Sequence, residues 1–277
     1  MERGNYIMNQ AIILAAGEGS RMKSSLIKVL HKIYGKVMLK YVLDACKGAG
    51  FDKSYLIVGN NKDKVMEEFS SDTSISFIEQ KMGPGEPYGT GYAASLAKEH
   101  VNAGDNVLVI FGDTPLVDEE VLKDFLKYHE DNDNNMTILS AVLDDCEGYG
   151  RIVRDADKNL TKIVEQKDAS DDELKINEVN SGIYCFKGED FLDAINNLKN
   201  DNAKKEYYLT DAVSYLLSKG KKVNAYISDD QNIALGVNNQ LDLSKIEEIV
   251  RKKIITKWML EGVYFKNPSN VYIEENV

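Results

Sequence analysis

An α/β fold with a mostly parallel central sheet is predicted by two observations: short apolar runs alternate with amphipathic stretches, and the runs are nearly continuous, the mark of strands covered on both faces. AIILAA (11–16) reads as the first strand, VMLKYVLDACKGAG (37–50) as the helix that follows, and SYLIVG (54–59) as the second strand. DKVMEEF (63–69) is a short helix, ISFIEQ (75–80) a strand and YAASLAKEHV (92–101) a helix. NVLVIFGD (106–113), DEEVLKDFLKYHE (118–130) and MTILSAVL (136–143) continue as strand, helix and strand. From about residue 148 the texture changes. GRIVRDADKNLTKIVEQKD reads as a hairpin turning at Asp157-Lys158-Asn159, and VNSGIYCF (179–186) as a strand. EYYLTDAVSYLLSKG (206–220) reads as a helix stopped by Gly220, KKVNAYIS as a strand, and 239–261 as a long charged helix. This half is expected to form a smaller β-rich lobe that supplies the second wall of a cleft.

In parallel sheets ligands bind beyond the carboxyl ends of the strands, which puts the loops after Ala16, Gln80 and Gly112 on one rim. The 277 residues are enough to bury a full core. A net charge of −11 excludes a general nucleic-acid binder with a basic face, although a local basic pocket for one anionic ligand remains compatible with it. No run approaches the roughly 20 apolar residues of a membrane-spanning helix. The opening MERGNYIMNQ has no apolar signal-peptide core, so a cytoplasmic location without membrane partners is expected. Cys46, Cys146 and Cys185 are far apart with no CxxC pair, which reads as free thiols in a reducing compartment. His31, His100 and His129 sit at no metal-ligand spacing and are expected to be structural.

The stretch AIILAAGEGSRM (11–22) runs a buried strand into a glycine loop and then a cation. A dinucleotide fingerprint would require a third glycine where Met22 stands, and a P-loop would require Gly-Lys-Ser/Thr. What remains is a tight turn offering backbone N–H groups to an anion, followed by Arg21 and Lys28. Two cations beyond such a turn suit a triphosphate better than a dinucleotide ribose. Asp113, ending NVLVIFGD, is a hard oxygen ligand at the same rim, where a phosphate-bound Mg²⁺ would sit. Asn238 by itself reads as the cap of the last helix.

LAAGEGSRMKSSLIKVLHKIYGK resembles the LAAGxGTRMxSxLPKVLHxxxGK signature of the sugar nucleotidyltransferases. It is most similar to the uridyltransferase domain of the bifunctional N-acetylglucosamine-1-phosphate uridyltransferases/glucosamine-1-phosphate acetyltransferases. The resemblance continues through GTGYA, FGDTPL, EGYGRIVR, IVEQKDA, EVNSGIY, EYYLTD and GVNNQLDL. It implies a Rossmann-like nucleotidyltransferase fold with a sugar-binding lobe, spanning 8–262. It also implies transfer of uridylyl from UTP to N-acetylglucosamine 1-phosphate, with Mg²⁺ held by Asp113 and Asn238. Arg21 and Lys28 would hold the triphosphate and stabilise the reacting phosphorus. Leu14, Ala15, Ala16 and Gly17 would approach the nucleotide with backbone atoms, while Gln80, Gly89 and Thr90 would read the uracil. Gly112, Gly150, Glu165 and Asn180 would hold the sugar.

Four departures stand out. Ile27 and Val37 replace prolines of the signature, Tyr92 replaces the histidine of GTGHA, and Phe111 replaces the tyrosine before Gly-Asp, losing a hydroxyl near the expected sugar site. KMGPGEPY (81–88) lengthens the segment between Gln80 and GTG, where the family has four residues, so Gln80 is the least secure of the nucleotide contacts. The alternative is therefore the same fold with another sugar or base; a non-catalytic sugar-nucleotide sensor would have no need of Arg21, Lys28 and Asp113. NPSNVYIEENV resembles the first coil of the family's left-handed β-helix, which carries acetyl transfer and trimerisation. Residues 263–277 are expected to begin that β-helix, with acetyl transfer absent from this chain and a trimer possible only with a full β-helix.

Overall fold

The computed structural model describes residues 7–59, 62–202 and 204–277. The strands are β1 (Asn9–Leu14), β2 (Lys32–Ile33), β3 (Lys36–Val37), β4 (Lys53–Val58), β5 (Ile75–Glu79), β6 (Asn106–Phe111), β7 (Met136–Val142), β8 (Arg151–Arg154), β9 (Leu160–Val164), β10 (Glu178–Lys187) and β11 (Val223–Ile227). The helices are α1 (Met38–Gly48), α2 (Lys62–Phe69), α3 (Thr90–Ser95), α4 (Glu119–Asp131), α5 (Gly188–Asn197), α6 (Asp211–Ser218) and α7 (Gln240–Leu260). Among the described residues no helix is long and apolar enough to cross a membrane.

Seven strands run in the order β11-β7-β10-β6-β1-β4-β5, and the β8–β9 hairpin hangs from β10 to complete a nine-stranded sheet. β1 pairs in parallel with both β4 and β6, β4 with β5, and β7 with β11. Only β10 runs antiparallel within that path, between β6 and β7. The chain moves from β1 to β4 and β5 on one side, then crosses to β6 on the other. The order therefore reverses between β1 and β6, and the crevice at such a reversal is where doubly wound sheets take their ligands.

Both faces of the sheet are covered, as the continuous apolar strands require. Along β1 the residues alternate between two cores. Ala11 and Ile13 join Val42, Cys46, Leu122 and Phe125 of α1 and α4, whereas Ile12 joins Ala93, Phe191 and Leu216 of α3, α5 and α6. Burial pushes the Cys46 thiol up to about 12, which leaves it inert in this layer. A third cluster seats α7 through Leu243, Ile246 and Val250 on Met22, Ile33 and Met38. Residues 263–277 carry no strand; they return to the β2–β3 ribbon, where Tyr272 stacks on Tyr34 with ring centroids 4.5 Å apart and the Glu275 N–H donates to the Tyr34 carbonyl.

Two elements are shorter than the sequence pattern predicts. The helix expected over 92–101 is the short α3, starting at Thr90, followed by a 3-10 turn at Lys98–His100. The helix expected over 206–220 begins only at Asp211, because the backbone before it is drawn to the GTG loop. The Tyr207 N–H donates to the Tyr88 carbonyl, the Gly91 N–H to the Tyr207 carbonyl, and the Leu209 N–H to Thr90 Oγ1 at 3.0 Å. These long-range bonds satisfy backbone groups that a helical turn would otherwise have used.

Candidate active site

The carboxyl ends of β1, β5 and β6 open onto one cleft of about 320 Å³. Leu14, Ala15, Ala16, Gly17, Lys28, Gln80, Gly89, Thr90, Asp113 and Asn238, all singled out from the sequence, line it together. They arrive from separate segments: 14–17, Lys28, Gln80, 89–90, Asp113 and Asn238. β1 delivers 14–17 to the rim, and a Cβ added at Gly17 would meet no protein atom within 4 Å, so this backbone faces open space. Gly19 takes a left-handed φ of 61°, and a Cβ there would lie 2.7 Å from Lys28 Cβ; the glycine lets the loop fold over the lysine stem. Gly89 is held similarly, at φ 118° with a Cβ position colliding with the Tyr207 carbonyl.

The charged groups pair off across the cleft. Lys28 Nζ bonds the Asp113 carboxylate, with both side chains largely buried. Arg21 is exposed and does not itself line the cleft, but donates from Nη2 to Asn238 Oδ1 at 2.9 Å. The Val237 N–H bonds the Asp113 carbonyl at 3.0 Å, tying the 236–239 segment to the end of β6. Asn239, rather than Asn238, caps α7: its Oδ1 accepts from the N–H groups of Leu241 and Asp242. The Asn238 side chain is thereby left to the cleft.

Glu165 lines an adjoining cavity with Gln166, Lys167 and Lys204, and Tyr208 borders both spaces. Burial raises the Glu165 carboxyl above its ordinary range, with Lys167 opposing the shift. Gly112, Gly150 and Asn180 do not line the cleft. Gly112 packs against Leu39 and Ala15, and Asn180 accepts the Gly182 N–H while donating from Nδ2 to the Tyr184 hydroxyl at 2.9 Å. The Asn180 N–H bonds the Gly150 carbonyl at 2.9 Å, which ties the two residues together. Sequence reasoning assigned nothing to Tyr88, Glu206 and Tyr208, which also line the cleft. EYYLTD was a visible signal for the last two, but its meaning depends on the clamp onto the GTG loop.

Among the described residues no group of three or more His, Cys, Asp or Glu converges as a metal cage. Asp113 and Asn238 supply two hard oxygen donors in the same cleft. That donor set fits Mg²⁺, which usually takes one or two protein oxygens and fills its octahedron with phosphate and water.

Fold and cleft together define an α/β protein with a cleft at the switch point of a doubly wound sheet. The chain belongs to the nucleotidyl transferase family, whose pattern its residues 10–259 match. It is 42% identical to the bifunctional protein GlmU of Clostridioides difficile over 268 residues, covering 97% of this chain and 57% of that protein. GlmU of Alkaliphilus oremlandii is 43% identical over 268 residues, with 97% and 57% covered. The chain thus spans a little over half the length of the curated relatives it matches. Among solved structures, a Bacillus anthracis protein provisionally assigned as a glucose-1-phosphate thymidylyltransferase superposes with a TM-score of 0.71 at 19% identity, covering 95% of this chain and 99% of that one. HddC of Yersinia pseudotuberculosis superposes with a TM-score of 0.64 at 21% identity, covering 88% and 100%. The two superpositions speak to the fold, and the family match bears out the resemblance read from the motifs.

Proposed function

We propose that this chain transfers the uridylyl group of UTP to N-acetylglucosamine 1-phosphate, giving UDP-N-acetylglucosamine and pyrophosphate. The observation that carries the reading is the convergence of Lys28, Asp113 and Asn238 on one cleft beside residues 14–17, with Arg21 bonded to Asn238. Identities above 40% to proteins named GlmU support the choice of base and sugar. Under this reading an oxygen of the sugar 1-phosphate attacks the α-phosphorus, the bond to the bridging oxygen breaks, and pyrophosphate leaves with the electron pair.

The protein's part is positioning and charge compensation. Lys28 exchanges its bond to Asp113 for a phosphate oxygen, and Arg21 turns from Asn238 to the triphosphate with its planar fork. Leu14 to Gly17 meet the nucleotide through backbone atoms, while Gln80, Gly89 and Thr90 read the base edge, an amide being able to donate and accept at once. Gly112, Gly150, Glu165 and Asn180 serve the sugar, with the half-buried Glu165 carboxylate accepting from a hydroxyl. Asp113 and Asn238 would hold Mg²⁺, which supplies neutralisation of the phosphate charge when bound. Residues 8–262 carry this chemistry, in a cytoplasmic setting, and 263–277, though they carry no strand, stand where the resemblance puts the start of the β-helix.

Pyrophosphate release measured across four nucleoside triphosphates and a panel of hexose 1-phosphates, with and without Mg²⁺, tests the proposal. Turnover confined to UTP, N-acetylglucosamine 1-phosphate and Mg²⁺ is expected. Turnover with a different pair would keep the chemistry and reassign the pocket, a second reading favoured by Phe111 and the 81–88 segment at its edge. Absence of release with every pair would overturn both.

A further inference from the structure

The segment 81–88, twice the length that the resemblance predicts between Gln80 and Gly89, brings one aromatic side chain to the cleft. Residues 83–87 arch through solvent, closed by the Glu86 N–H on the Gly83 carbonyl at 3.2 Å. The chain then returns, and the Tyr88 carbonyl is pinned by the Tyr207 N–H at 2.8 Å. Tyr88 lines the cleft beside Gln80, Gly89 and Thr90, yet remains 47% exposed. Tyr92 leans on Tyr207 and Tyr55 stacks on His100, while Tyr88 has no aromatic partner among the described residues. An unpartnered ring with a fixed backbone, facing a cleft of nucleotide size, is a platform for a flat ligand.

We propose that Tyr88 stacks on the nucleobase and is a binding residue for the nucleoside triphosphate. The inference rests on the nucleotide reading above and deepens it. Stacking uses the face of the base, so Tyr88 adds affinity for any base, while choice among bases stays with the groups that meet the base edge. The ring rather than the hydroxyl carries the effect, so Tyr88→Phe keeps it and Tyr88→Leu loses it.

The experiment is a KM and kcat comparison of the native chain, Tyr88→Leu and Tyr88→Phe. It is paired with fluorescence titration of a Tyr88→Trp, Trp258→Phe double variant with UTP, which removes the chain's single native tryptophan. Expected is a rise of about tenfold in the nucleotide KM for Tyr88→Leu, with kcat and the sugar-phosphate KM within about twofold, native values for Tyr88→Phe, and quenching of the introduced indole. A nucleotide KM unchanged in Tyr88→Leu, or an indole emission unmoved by saturating nucleotide, would overturn the proposal. If the native chain turns over a nucleotide other than UTP and Tyr88→Leu weakens that one, the stacking stands and the UTP reading falls. If UTP turns over equally well in both, the reverse holds; if no nucleoside triphosphate binds, both fall.

Discussion

Lys28 and Asp113 lie 85 positions apart and meet as a largely buried ion pair, while Arg21 reaches Asn238 across 217. Each cation thus rests on one of the two oxygen donors assigned to the metal, and the Lys28–Asp113 pair keeps its two largely buried charges compensated before substrate arrives. Asp113→Ala is expected to abolish pyrophosphate release; the Val237 bond uses the Asp113 backbone and survives, but the stranded Lys28 ammonium is expected to lower the melting midpoint by circular dichroism. Near-native turnover in that variant would remove Asp113 from the metal site. Lys28→Ala is expected to lose about 2–4 kcal/mol of transition-state stabilisation, a fall of roughly 10²–10³ in kcat. A change confined to nucleotide KM would contradict its role at the phosphorus. Glu165 makes a different case. Its carboxyl is raised by burial, so its contribution favours the fold at low pH, where it is neutral, and is lost as pH rises through the folded-state value. Glu165→Gln should therefore melt above the native chain at pH 7, the gap closing as pH falls below the ordinary carboxylate range; equal melting at pH 7 would show that the charge costs the fold nothing.

Local elements divide into those that their own residues specify and those that a distant partner reshapes. The long helix α7 belongs to the first kind: Asn239 caps it within a residue of where the charged pattern starts. Asn239→Ala should cost about 1 kcal/mol in denaturant unfolding. It should also lower turnover, because the cap fixes the residue next to Asn238; unchanged turnover would mean that the cleft holds Asn238 by itself. The 206–210 segment belongs to the second kind. Its helical pattern is genuine, but three backbone bonds to the GTG loop and Tyr88 outcompete the first turn. Nothing in the spacing of EYYLT announces a partner more than a hundred residues away. The same holds for the cleft wall: the rim after Ala16, Gln80 and Gly112 was legible because strand order and apolarity are local, whereas Tyr88, Glu206 and Tyr208 entered it only through that clamp.

Across the whole molecule, the change of texture near residue 148 does not divide the sheet. β10 inserts antiparallel between β6 and β7, so one hydrogen-bonded sheet crosses from the first half of the chain into the second. Phe186 of β10 is fully buried against Phe191, beside strands from the first half. Denaturant unfolding is expected to follow one transition, with ellipticity and Trp258 emission coinciding. Separated midpoints would show that the hairpin lobe or α7 opens by itself.

By itself the sequence determined the alternation of strands and helices, the rim on which ligands gather, and the motifs that carry the family. Each of these is written in periodicity, burial and short-range spacing, which a single chain displays without reference to its folded neighbours. The tertiary structure decided which strand lies beside which, that Asn239 rather than Asn238 caps α7, and that Lys28 meets Asp113. It also decided that the lengthened loop brings a tyrosine to the cleft. These depend on sheet register and on bonds between segments far apart in sequence, where several partners are locally equivalent and only packing of the whole sheet selects among them.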